Sequence, residues 1–227
     1  MAFPTVTTVL DNFNRANPIG GDWTADVAGF GGTEMSIASD TILDPCSNSN
    51  YGDGYWDITT FGPDTEVYIT LVSELLGTNG TLQLFARMVT PGSAAADGYE
   101  LTVTKTAGSA TWQLYEILNG AETPIGSSAT QAIALTEKVG LEIISDAIKG
   151  YHYTGGAWNS TPIVSTTDAT YGSENYCGVG SYNGGSGRPK YDDFVAGTVV
   201  AGGGRTTKNT RAFPLGVEVG MNWRGAL

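Results

Sequence analysis

A group of aromatic residues is the first feature of the sequence that could bind a ligand. Tyr51, Tyr55 and Trp56 lie close together in a Gly-rich segment, which we predict to be a loop. Such rings can stack on the C–H face of a pyranose while neighbouring polar side chains bond the sugar hydroxyls. Trp158 and Tyr182 are further candidates for a glycan site. The alternative is that each ring packs in the core or against a turn, the commoner role of Trp in a β-sandwich.

Other kinds of reactive site lack the residues that they need. His152 is the only histidine, so the chain cannot build a histidine-rich metal site or a Ser-His-Asp triad, and we expect His152 to be structural. The Gly-rich stretches lack the Lys-Ser/Thr ending of a phosphate-binding loop. Cys46 and Cys177 are far apart and without metal-ligand spacing. Two alternatives stay open for these cysteines, free buried thiols and a disulfide bridge.

Composition and charge restrict the class of protein. The chain has 23 acidic and 11 basic residues and a net charge of −12, so its surface repels nucleic acid and anionic membranes. The 32 glycines and the 15% share of charged residues favour a turn-rich β protein. The N-terminal segment has no basic region followed by a long apolar run, so we expect neither a signal peptide nor a membrane span.

Alternating apolar and polar residues predict the strands that must position these side chains. From Thr65 onward, runs of this kind are separated by Gly, Asn, Asp, Pro or Ser. We predict strands at 65–71, 81–89, 99–105, 112–118, 138–145, 148–153, 176–182 and 190–200. Asn119-Gly120 and Gly155-Gly156 are suited to the positive φ angles of tight hairpins. Regularly spaced strands with such turns predict an antiparallel sandwich.

The composition changes after residue 200. Residues 201–204 form a predicted Gly hinge. Residues 205–227 carry a net charge of +3, whereas residues 1–204 carry a net charge of −15. We predict that this basic, partly apolar arm docks on an acidic neighbour, including another copy of the chain. A loose tail with incidental charge is the alternative. The predicted docking residues are Arg205, Lys208, Arg211, Phe213, Leu215, Trp223 and Arg224.

Three sequence motifs resemble those of concanavalin A-like, laminin G-like domains of bacteria and phages. Leu10–Arg15 followed by Trp23 resembles the first strand of such domains, with its Asp-x-Phe-x-Arg motif. Gly98–Leu101 is similar to their Gly-Tyr-x-Leu strand, and Tyr191–Phe194 to the Asp-Asp-Phe strand that pairs beside the first. The resemblance implies an all-β fold for residues 1–200, an antiparallel two-sheet sandwich of the jelly-roll kind with a C-terminal extension.

The resemblance also bears on a structural metal ion and on catalysis. Related domains often hold a structural calcium ion, for which Asp11 with Asp192 or Asp193 would supply oxygen ligands, although the fold requires no cofactor. The alternative is that these acids bond to Arg15 and nearby backbone. Glucanases of this fold carry a Glu-x-Asp-x-Glu strand, which is missing here. A catalytic pair of carboxylates that come from separate strands stays open as an alternative.

Together these features predict a binding or scaffolding protein without catalytic activity. The leading hypothesis is a virion accessory protein of the capsid decoration or fibre type, located in the virion and in contact with other copies of itself and other virion proteins. The first alternative is a carbohydrate-binding module that recognises surface glycans. The second alternative is a glycosidase. No nucleic-acid or membrane partner is expected.

Overall fold

Two antiparallel sheets pack face to face in the computed structural model, which describes residues 2–25, 35–44, 51–73, 80–106, 109–173, 176–183 and 189–200. The described residues contain strands and turns but no helix, and so no helix that could cross a bilayer. The predicted all-β sandwich is confirmed. The predictions for Cys46, the hinge and the C-terminal arm concern residues 45–50 and 201–227, which lie outside the described part of the chain.

The first sheet has seven strands. In spatial order they are β1 (Trp23–Ala25), β4 (Tyr51–Trp56), β14 (Tyr176–Asn183), β6 (Gly80–Val89), β7 (Asp97–Thr106), β8 (Ser109–Leu118) and β9 (Ala121–Thr130).

The second sheet has eight strands. Its order is β12 (Ala157–Trp158), β11 (Ala147–Thr154), β10 (Lys138–Ile144), β5 (Thr65–Ser73), β15 (Lys190–Thr198), β3 (Ile42–Asp44) and β2 (Ser36–Ala38), with β13 (Val164–Thr167) also paired to β11.

The core lies between the sheets and follows the predicted alternation. On β5, Val67, Ile69 and Leu71 face the core, while Glu66 and Tyr68 face outward. This is the consequence of a two-residue side-chain period on a strand. The turn predictions also hold, since Asn119 and Gly120 link β8 to β9 with φ angles of 51° and 72°. Each positive φ is the geometry of a type I′ hairpin.

Two departures from the predicted pattern have local causes. Met88 does not face the core with Leu82 and Leu84, because a register shift between Ala86 and Val89 turns it outward beside Phe85. The segment from Tyr51 to Trp56 is strand β4 and not a loop. Its Gly54 faces the core where an added Cβ would lie 2.1 Å from Cε of Met35, so the glycine there serves packing.

The predicted closure of the sandwich by its first and last segments is present. Asp11 and Phe194 form an antiparallel bridge, in which the Phe194 amide donates to the Asp11 carbonyl at 2.8 Å.

The two sheets differ in what lies over their outer faces. The outer face of the eight-stranded sheet is covered by the N-terminal segment, where Phe3 stacks on Tyr151 with ring centroids 4.4 Å apart. The backbone amides of Thr5 and Val6 donate to Oε2 of Glu66 at 2.7 and 2.8 Å.

Candidate functional site

The outer face of the seven-stranded sheet brings three of the predicted glycan residues together. Successive side chains of a strand point to opposite faces, so Tyr51, Asp53 and Tyr55 of β4 share this face. Tyr182 of β14 lies directly opposite Tyr51 in the strand register. We call this outer surface of β4, β14, β6, β7, β8 and β9 the candidate face.

Tyr51 and Tyr182 form an aromatic pair at one side of the candidate face. Their ring centroids are 4.5 Å apart with 35° between the ring planes, and Tyr51 is 43% exposed. Two rings in contact present a larger apolar surface than one, and the hydroxyls at their tips can bond a ligand. An exposed aromatic surface of this kind can stack on the apolar face of a sugar ring.

Tyr55 belongs to a second aromatic group on the candidate face. It contacts Tyr176 at a centroid distance of 5.3 Å, and both rings pack on a small apolar cluster. The buried members of that cluster are Phe85, Met88, Ala96 and Ile117. Because the bulge in β6 supplies Met88, this cluster could not be deduced from strict alternation.

Polar side chains lie buried between these aromatic groups. Asp53, Gln83 and Glu100 are at most 5% exposed although they point away from the core. Gln83 Nε2 donates to Glu100 Oε1 at 2.8 Å. Gly180 makes this arrangement possible, because an added Cβ there would lie 2.8 Å from Cβ of Asp53 and 3.2 Å from Oε1 of Gln83.

Glu100 is paired with a second carboxyl group. Its Oε2 is buried and meets no hydrogen-bond donor among the described residues, while the carboxyl of Glu122 on β9 is its neighbour. Two carboxyls bond to each other only when one carries a proton. Burial raises the pKa of Glu100 well above its usual value, and the Glu122 charge raises it further. Burial also raises the pKa of Glu122.

Burial raises the pKa of Tyr51 on the candidate face, and the charges of Tyr182 and Glu122 raise it further. The Tyr51 hydroxyl therefore keeps its proton at neutral pH.

The remaining two predicted glycan residues lie elsewhere. Trp56 lies at a core-facing position of β4 and is 7% exposed. Its ring packs against that of Trp23, with the ring centroids 5.6 Å apart. Trp158 is on the other sheet, where it packs against Phe3 at 4.7 Å and Tyr68 at 5.3 Å. Both side chains are committed to packing, so we leave them out of the candidate face.

The predicted calcium ligands occupy the junction of the first and last segments. Asp11 accepts hydrogen bonds from Arg15 Nη1 and Nη2 at 2.6 and 2.7 Å, and from Trp23 Nε1 at 2.8 Å. Its oxygens are thus bonded as in the alternative interpretation, and the Asp-x-Phe-x-Arg motif with its Trp is a structural unit. Asp192 accepts from the Asp193 amide, and Asp193 lies 3.7 Å from Lys138.

A depression of about 460 Å³ adjoins this junction and includes Asp11, Asp22 and Asp193 in its lining. Within the described ranges, no group of three or more His, Cys, Asp or Glu side chains is arranged to hold a metal ion. Calcium at Asp11, Asp192 and Asp193 stays a prediction.

His152 and Cys177 are both packed inside the sandwich. His152 is 1% exposed, shares a hydrogen bond of 2.9 Å with Glu137, and contacts the Trp112 ring. The Cys177 thiol is free and fully buried, and burial raises its pKa. A buried thiol with a raised pKa carries little thiolate and is unreactive.

The polar part of the candidate face was not predicted from the sequence. Asp53, Gln83, Glu100, Glu122 and Tyr115 were not singled out, although the outward parity of Gln83 and Glu100 follows from the alternation of their strands. Glu100 and Glu122 are brought together although they stand apart in the sequence.

Comparison with known proteins identifies the fold. No protein-family model and no curated protein sequence matches the chain. The structure is similar to the carbohydrate-binding module CBM66 from Bacillus subtilis, with a TM-score of 0.55 and 12% identity over 78% of this chain and 95% of that one.

Two further solved structures share the architecture. One is the VIP36 exoplasmic/lumenal domain in a form bound to Ca²⁺ and Man3GlcNAc, with a TM-score of 0.54, 9% identity, and coverage of 80% of this chain and 85% of that one. The other is the carbohydrate recognition domain of Emp46p in its potassium-bound form, with a TM-score of 0.57, 11% identity, and coverage of 84% of this chain and 97% of that one. The chain thus has the fold of lectin-like β-sandwich domains.

Proposed function

We propose that the protein binds carbohydrate on the candidate face and has no catalytic role there. The observation that carries this proposal is the contact between the exposed Tyr51 ring and Tyr182, on the same sheet face as buried Asp53, Gln83 and Glu100. Sugar sites combine an apolar surface with a few fixed polar groups that set orientation. Here the aromatic pair supplies the first, and the polar side chains around Gly180 supply the second.

The fold supports the same proposal. The similar structures named above include a carbohydrate-binding module and two domains whose descriptions name a bound sugar or carbohydrate recognition. This favours the carbohydrate-binding alternative over the virion role. The virion location and the docking of the C-terminal arm stay predictions, because residues 201–227 lie outside the described part of the chain.

The direct test is a glycan array followed by calorimetry on the best ligand. Tyr51→Ala and Tyr182→Ala should each weaken binding by about tenfold or more, since ring stacking and ordered polar contacts are lost together. Tyr153→Ala is the matched control, because Tyr153 also lies half-buried against another aromatic ring, Trp158 at 5.6 Å, but on the opposite sheet.

Binding that survives both Tyr51→Ala and Tyr182→Ala, or that falls equally in Tyr153→Ala, would contradict the proposal. Thermal unfolding of each variant shows whether the fold is intact, so a loss of affinity can be assigned to the site.

A further inference from the structure

The N-terminal segment, residues 2–9, is held on the outer face of the eight-stranded sheet by side-chain anchors. The ring of Phe3, which is 7% exposed, packs among three aromatic side chains of this face. They are Tyr68, Tyr151 and Trp158, at centroid distances of 6.3, 4.4 and 4.7 Å. With Val6 and Val195 these rings form a hydrophobic cluster separate from the core between the sheets. The segment therefore makes an interface of its own with the sandwich.

Two glycines of the sheet make room for this segment. An added Cβ at Gly140 of β10 would overlap the Phe3 ring, and one at Gly197 of β15 would lie 2.6 Å from Cγ1 of Val6. Neither glycine has a φ angle in the left-handed region, so the backbone does not require a glycine at either position. The missing side chains instead leave two seats, one for Phe3 and one for Val6.

Glu66 binds the backbone of the segment between these two anchors. Its buried carboxyl accepts bonds from the amides of Thr5 and Val6 at 2.7 and 2.8 Å and from the Thr5 hydroxyl at 3.1 Å. Burial raises the pKa of Glu66, and the bonds from Val6 and Thr5 oppose that rise because they favour the charged form. Seats for alternate side chains and bonds to the main chain are the parts of a site for an extended peptide.

A short exposed spacer joins the segment to the sandwich. Thr7, Thr8 and Val9 are exposed. Among the described residues, the first that shares a backbone-to-backbone hydrogen bond is Leu10, whose amide donates to the Phe194 carbonyl at 2.9 Å. The anchors thus lie within residues 3–6, and no ladder of backbone bonds in the described chain ties them to their own sheet. Every copy carries the same segment and the same seats, so the segment of one copy fits the face of another.

We propose that the outer face of the eight-stranded sheet accepts the N-terminal segment of a second copy of the chain, so that two copies can exchange residues 2–9. The exchanged form keeps the contacts of the segment, and the spacer acts as the hinge. A segment on a short linker has an effective concentration on the order of millimolar, so the intramolecular form prevails in dilute solution. Exchange is favoured where copies are held side by side. The inference is independent of carbohydrate binding, which concerns the other sheet.

The test uses two complementary variants of the full chain. Phe3→Ala removes the anchor and leaves its seat open, whereas Gly140→Val keeps the anchor and fills the seat. When the two variants are mixed, the intact segment of Gly140→Val should enter the open seat of Phe3→Ala. Sedimentation equilibrium at protein concentrations up to about 1 mM, the order of the effective concentration, should show a complex in the mixture that neither variant forms alone.

The double variant Phe3→Ala, Gly140→Val is the matched control for this mixture. It has the filled seat of Gly140→Val without the anchor, so it should not associate with Phe3→Ala. Thermal unfolding of each variant shows whether the sandwich is intact. Association of the double variant with Phe3→Ala to the same extent would mean that the copies meet through another surface, and would overturn the inference.

A synthetic peptide with the sequence of residues 2–9 gives a second measurement, which does not require Gly140→Val to fold. Calorimetry should show that it binds Phe3→Ala about tenfold or more tightly than the wild-type chain, whose own segment fills the seat. The same peptide with Phe3→Ala should not bind. In the Phe3→Ala background, Glu66→Gln should weaken peptide binding about tenfold by removing charge-assisted bonds. Glu142→Gln, opposite Glu66 in the register, is the control and should not weaken it.

The two measurements together decide the inference. A complex in the mixture and binding of the peptide to Phe3→Ala would support exchange between copies. If the peptide binds but the mixture shows no complex, the seat is a peptide site and exchange between copies is wrong. If neither the peptide nor the second copy binds, the segment only packs on its own sheet and the inference is wrong.

Discussion

Each outer face of the sandwich carries aromatic rings and a pair of glutamates from different strands. On the eight-stranded sheet, Glu66 and Glu142 lie opposite each other in register, Glu66 accepts from the amides of Thr5 and Val6, and Lys149 donates to Glu142 at 2.9 Å. On the seven-stranded sheet, Glu100 and Glu122 have no such cation among the described residues.

The aromatic rings differ in the same way. Phe3 is 7% exposed and fills the space between Tyr151, Tyr68 and Trp158, whereas Tyr51 is 43% exposed beside Tyr182. The same types of side chain are thus buried under the N-terminal segment on one face and, for Tyr51, largely exposed on the other. Among the described residues, the two faces differ in the covering segment and in the counter-charge, and not in the residue types.

The largest effect that would test this contrast is expected from Phe3→Ala. Phe3 is nearly buried and stacks on Tyr151, so its loss should lower the free energy of unfolding by about 3 kcal/mol. Tyr51→Ala, at a more exposed position, should lower it by less than about 1 kcal/mol. Urea unfolding measures both. Equal losses would show that the two faces are equally structural and would remove the contrast.

A smaller effect is expected from Lys149→Met. This variant leaves Glu142, which is 1% exposed, without its cation, and should cost about 1–2 kcal/mol at neutral pH since Lys149 itself is partly exposed. Lys138→Met is the control, because the Lys138–Asp193 pair is longer, at 3.7 Å, and more exposed. The control should change the free energy of unfolding by less than about 0.5 kcal/mol. A control that matches Lys149→Met would show that burial of Glu142 is not the cause.

The smallest effect is expected from Glu100→Gln, which should increase and not decrease the free energy of unfolding. Burial raises the pKa of Glu100 in the folded protein, so the folded state binds more protons than the unfolded state as the pH rises above about 4.3, the usual pKa of Glu. The Glu100 carboxyl therefore stabilises the fold only in acid, and that contribution is lost as the pH rises through the folded pKa.

Glu100→Gln should accordingly increase the free energy of unfolding at neutral pH by on the order of 1 kcal/mol, with the gain vanishing below a pH of about 4. Unfolding in denaturant across this pH range measures it. A variant that is destabilised at neutral pH would mean that Glu100 is ionised and stabilised by a cationic partner in the folded protein, which would remove this contrast between the two faces.

Regular alternation made part of this structure predictable. The core face of β5, with Val67, Ile69 and Leu71, followed directly from the two-residue period, as did the outward position of Gln83 and Glu100. The bridge between Asp11 and Phe194 agreed with the resemblance to laminin G-like domains.

Other elements could not be deduced from local pattern. The glycines of β4 lower its strand propensity. Gly54 is explained by packing, because a larger side chain there would collide with Met35, which comes from another part of the chain. Strand β9 shows no alternation because nearly all of its residues are exposed. The outward turn of Met88 depends on a bulge, whose position alternation does not specify.

The sequence by itself determined the all-β class, the strands of regular alternation, the hairpin turns and the acidic net charge, since each depends on residue types and short spacings. The tertiary structure alone decided which tyrosines meet, which polar side chains of separate strands are buried together, and which outer face the N-terminal segment covers. Those outcomes depend on pairing between strands that are far apart in the chain, 131 residues for Tyr51 and Tyr182. Local spacing carries no information about such pairing.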